Sequence, residues 1–62
     1  MQNIQNRNVQ IQIQDINGNW FAVNSVPNHN QMITGALNTA VRQYGKKARA
    51  MNSDGIVLDI KM

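Results

Sequence analysis

Cysteine and glutamate are both absent from this 62-residue chain, and each absence closes off chemistry. Without cysteine there are no disulfide staples and no thiolate metal ligands. Without glutamate, the side-chain carboxylates reduce to Asp15, Asp54 and Asp59. The first two belong to turn sequences and the third is expected to pair with Arg49, so no carboxylate pair is left for acid–base catalysis. Histidine occurs once, at His29, where a helix start or surface role outweighs metal ligation. The hydroxyls of Ser25, Thr34, Thr39 and Ser53 have no base at a recognisable spacing. None of the glycines belongs to a phosphate-cradling loop. The expectation is a non-enzyme with no cofactor, no metal and no small-molecule substrate.

Long apolar runs are missing too, so no segment reads as a membrane span. The opening residues lack the charged-then-apolar pattern of a secretory leader, which makes a soluble cytoplasmic protein the expectation. Aromatics are limited to Trp20, Phe21 and Tyr44. A chain this short buries only about 60% of the surface its unfolded form exposes. Self-association is one way to add to so small a core.

What the chain does have is turn grammar. Ile16-Asn17-Gly18 and Ser53-Asp54-Gly55 each place a turn-forming side chain before a glycine, between alternating apolar residues. That is a hairpin signal, and register decides what it means. A two-residue loop at Asn17-Gly18 would mix apolar and polar residues on both faces. A three-residue loop with Gly18 left-handed pairs Asp15 with Asn19, Ile13 with Phe21 and Ile11 with Val23. Val9, Ile11, Ile13, Phe21 and Val23 then share one face; Gln10, Gln12, Gln14, Trp20, Ala22 and Asn24 share the other. Because a slip of one residue inverts every side chain, the register that segregates polarity is preferred. The same test on the second hairpin pairs Asn52 with Ile56, Ala50 with Leu58 and Ala48 with Ile60. Met51 then faces Val57 and Arg49 faces Asp59 on the outer side.

Between the hairpins, Ile33, Ala36, Leu37, Ala40, Val41 and Tyr44 recur at three- and four-residue steps and predict one amphipathic helix. Pro27 ends the strand before it, Asn28 or Asn30 is placed to cap it, and Gly45 to close it. Residues 1–8 lack a sustained period and read as a frayed N-terminal extension, leaving 9–62 as a single ββαββ domain. The fold class is α+β in two layers: a four-stranded, mainly antiparallel sheet with one helix packed on one face. The long first strand is placed centrally in the order 2-1-3-4, with 2-1-4-3 left open. The predicted core is Val9, Ile11, Ile13, Phe21, Val23, Leu37, Val41, Leu58 and Ile60.

One helix covers only one side of the sheet, so the other side is open. Trp20, Gln12, Gln14, Met51 and Val57 fall there and form the candidate interaction surface. An exposed tryptophan is unusual outside contact sites. The leading function is a small interaction module, a homodimer or a binder of another protein, using the open face or an edge strand. The alternative is weak, largely sequence-independent nucleic-acid binding. Its basis is the formal net charge of +3 and the cluster Arg42, Lys46, Lys47 and Arg49 at the helix end and third strand. In that reading the cations contact phosphates and Trp20 stacks a base.

Overall fold

The computed structural model describes residues 8–62, so the extension expected over 1–8 lies outside it except for Asn8, which opens the first strand. The elements run β1 (Asn8–Gln14), β2 (Trp20–Pro27), α1 (Asn30–Tyr44), β3 (Ala48–Met51) and β4 (Val57–Lys61). They form one antiparallel sheet in the order β2-β1-β3-β4, with β1 and β3 inside and β2 and β4 at the edges. The helix packs most against β1 and least against β4. This is the expected α+β fold, in the preferred strand order.

Both turns are three-residue loops built the same way. In the first, Asp15 N–H donates to Asn19 C=O at 2.8 Å and Gly18 N–H to Asp15 C=O at 3.1 Å. Asp15 Oδ1 accepts from the backbone N–H of Asn17 and of Asn19. In the second, Asn52 N–H donates to Ile56 C=O and Gly55 N–H to Asn52 C=O, both at 3.0 Å. Asn52 Oδ1 accepts from the N–H of Asp54 and of Ile56. Gly18 and Gly55 sit at φ 88° and 81°, a left-handed region where a side chain is strained. The side chain two residues before each turn's centre, Asp in one and Asn in the other, thus satisfies the backbone donors that the tight reversal leaves over.

Beyond the turns the registers depart from expectation, because each outer strand carries a β-bulge. In β2, Ile13 pairs with Phe21 and Gln12 with Ala22 as expected, but Ile11 then pairs with Asn24, so Val23 is the extra residue. The skipped residue moves the rest of β2 by one step and brings Val26 opposite Val9. Val26 becomes part of the buried core, where an unbroken register would have left it among the glutamines. In β4, Met51 pairs with Val57 as expected, but Ala50 pairs with Asp59, Arg49 with Ile60 and Ala48 with Lys61. Leu58 is the extra residue here. The expected pairs Ala50–Leu58, Ala48–Ile60 and Arg49–Asp59 do not form.

The core consists of Val9, Ile11, Val26, Ile33, Leu37, Ala40, Ala48 and Ala50, with Ile13, Val23, Ala36 and Val41 packed around it. Three residues of the expected core are exposed, Phe21 and, on the displaced β4, Leu58 and Ile60, as is Tyr44 at the end of the helix's apolar stripe. On β4 the bulge turns Ile60 to the open face opposite Arg49, and the helix packs least against this strand, which leaves it uncovered. His29 takes the N-cap position, in place of Asn28 or Asn30, in an extended conformation with no side-chain cap hydrogen bond. Gly45, at φ 64°, closes the helix as expected, donating its N–H to Val41 C=O. Gly35 is exposed with nothing near its missing Cβ.

Candidate interaction surface

The pairing registers lay out the face opposite the helix as a grid. One row runs Ser25, Gln10, Met51, Val57; the next runs Ala22, Gln12, Arg49, Ile60; Trp20 faces Gln14 at the far end. Trp20, Gln12, Gln14, Met51 and Val57 therefore all lie on the open face. Trp20 and Met51 do not form one patch, however. They sit across from Gln14 and Gln10, four residues apart on β1, or about 13 Å at the usual strand rise.

At the centre of the grid, Arg49 replaces the expected ion pair with a different set of partners. Its guanidinium carbon lies 4.1 Å from the centroid of the Trp20 ring, a cation–π stack. Its Nε donates to Gln12 Oε1 at 2.8 Å, and Gln12 Nε2 in turn donates to Gln10 Oε1 at 2.9 Å. Trp20 is consequently half-buried, with one face covered by the guanidinium. Of the other cations in the cluster, Arg42 is exposed on the last turn of the helix, on the far side of the sheet, and Lys46 and Lys47 are exposed in the connection to β3, where Lys47 C=O accepts from the N–H of Gln14, the residue across from Trp20.

A concavity of about 440 Å³ opens at the end of the face away from Trp20, lined by Asn8, Gln10, Ser25, Met51, Asn52, Ser53 and Gly55. Its lining is amide, hydroxyl and thioether, none of which is an acid or base near neutral pH. Among the described residues no three metal-ligating side chains cluster, and no helix is long and apolar enough to cross a membrane.

The more informative surface is the β4 edge, whose Leu58 and Ile60 the sequence reading placed in the core. All five residues of this strand are exposed, including Val57, Leu58 and Ile60, the last at 52%. Ile56 and Met62 flank it at 56% and 78%. A signal for this was present in the sequence. Ile56, Val57 and Leu58 fill three consecutive positions with apolar side chains before Asp59 and Ile60, so the start of the strand does not alternate as a half-covered strand does. Comparisons with protein-family models, curated proteins and solved structures give no match for this chain.

Proposed function

We propose that this protein is a small, non-catalytic interaction module that works by self-association. The observation that carries the reading is the β4 edge: an exposed strand with Val57, Leu58 and Ile60 along it, whose outer side pairs with no other strand among the described residues. Such a strand is a template for another strand, and proteins that remain monomeric blunt it with short length, charge, proline or a covering loop. Small core size points the same way, since association adds burial that one copy lacks.

Sedimentation velocity over a concentration series tests this directly. The expected result is a rise from monomer to dimer between about 10 and 500 μM, the regime of small, transient interfaces. A single monomer species throughout would refute the proposal.

Nucleic-acid binding through Arg42, Lys46, Lys47 and Arg49 is the second reading, and the geometry supports it less. Arg49 is engaged by Trp20 and Gln12, so a base could stack on only one indole face, and Arg42 lies on the opposite side of the sheet. Titration with short single strands at low salt decides it. Neutralising about three phosphates gives a log–log salt slope near −2.

A further inference from the structure

We propose that β4 pairs antiparallel with β4 of a second copy, in the register centred on Ile60, joining two four-stranded sheets into one of eight strands. The inference rests on the self-association reading above and specifies its surface and geometry. The backbone at Ile60 is prepared for it. The hydrogen bond between Asn52 and Ile56 sets the alternation along β3 and β4, and Ile60 falls opposite Arg49 with its N–H and C=O turned away from β3. Its N–H is met by Asp59 Oδ1 at 2.9 Å, a local bond that a strand carbonyl can replace.

Symmetry and charge then select the register. A two-fold dimer places one residue opposite its own copy and keeps both helices on the same side of the joined sheet. Centring on Asp59 or on Lys61 sets like charges face to face, which is destabilising. Centring on Leu58 puts the β4 bulge at the middle of the junction and aligns Asp59 with Val57. Centring on Ile60 sets Asp59 opposite Lys61 of the second copy, twice over by symmetry, with Ile60 against Ile60 and Leu58 against Met62. Asp59 and Lys61 pair with Ala50 and Ala48, so both project on the helix side of the sheet, and the two charge pairs flank the junction there. Of the exposed apolar residues of the strand and its flank, this register places Leu58, Ile60 and Met62 at the seam. A second copy is thus complementary to this edge in backbone, charge and apolar side chains at once.

Charge reversal tests the register without touching the core, because Asp59 and Lys61 are both exposed. Sedimentation equilibrium is run on the wild type, on Asp59→Lys, on Lys61→Asp, on an equimolar mixture of the two variants, and on the double variant. Each single substitution leaves like charges at both flanking positions, and its dimer is expected to be about tenfold weaker or more, from two cross-strand pairs turned repulsive. The mixture and the double variant restore opposite charges, and both are expected to associate as tightly as the wild type. Far-UV circular dichroism on each variant confirms that the fold is retained. Wild-type association that the single substitutions leave unchanged overturns this register while the self-association reading stands. A wild type that stays monomeric overturns both. Binding of single-stranded oligonucleotide by a monomeric wild type likewise overturns both, in favour of the nucleic-acid reading.

Discussion

Arg49 could have satisfied its charge in either of two ways, with a carboxylate across the strand or an indole on the same face. The bulge at Leu58 decides between them, since it carries Asp59 round to the helix side and leaves Ile60 opposite Arg49. The guanidinium then lies on Trp20 and is held in plane by Gln12. A planar, weakly hydrated cation suits this position better than an ammonium. Arg49→Ala is expected to expose the ring, red-shift the tryptophan emission, increase acrylamide quenching and cost about 1 kcal/mol. Arg49→Lys should fall between the two. Unchanged emission in Arg49→Ala would show that the stack does not persist in solution. Val26 teaches the same lesson in reverse. The alternation of β2 assigns it to the glutamine face, yet it is buried against Val9 because the bulge at Val23 lies between it and the turn.

At the scale of elements, the two hairpins solve one problem with different atoms. Asp15 and Asn52 each receive two backbone N–H groups of their turn through Oδ1, and both are only partly exposed. An amide oxygen therefore serves where a carboxylate does. Asp15→Asn is expected to leave stability within about 0.5 kcal/mol of the wild type, whereas Asp15→Ala should cost about 1–2 kcal/mol, as two turn donors lose their acceptor. Thermal or urea denaturation of the pair measures the difference, and equal losses in both would contradict it. These loops were legible in the sequence because their cause is local: a short polar side chain and a glycine at fixed spacing. The helix was legible for a similar reason, since Ile33, Leu37 and Ala40 repeat at its own period and all three are buried. Its N-cap was not, because His29 supplies backbone geometry without a side-chain hydrogen bond that residue type could announce.

For the whole molecule, the balance of core against surface is the controlling quantity. Three of the eight core residues are alanines, and Phe21 and Tyr44 are exposed, so no aromatic ring is fully inside. With a core this light, a second copy paired as proposed would add stability by mass action. Melting temperature should then rise with protein concentration, by about 3–5 °C per tenfold increase once dimer predominates. Differential scanning calorimetry across two decades of concentration reads this, and a constant midpoint would argue against a dimer linked to folding. The open face, by contrast, holds polar glutamines at its centre with Trp20 and Met51 at opposite ends, and offers no continuous apolar seam.

By itself the sequence determined the element order, both turn types, the helix and its C-terminal close, and the membership of Trp20, Gln12, Gln14, Met51 and Val57 in one face. Each of these follows from periodicity or from interactions spanning a few residues. Only the tertiary structure decided where the two bulges fall, and with them the burial of Val26, the partner of Arg49 and the sidedness of Asp59, Ile60 and Lys61. A bulge without glycine leaves no local signature. The one in β2 carries Val26 into a core shared with Ile33, Leu37 and Ala40 of the helix, a contact between elements that the local pattern of β2 does not announce. The exposed β4 edge has the same origin, since one helix seated over β1 cannot also cover the last strand.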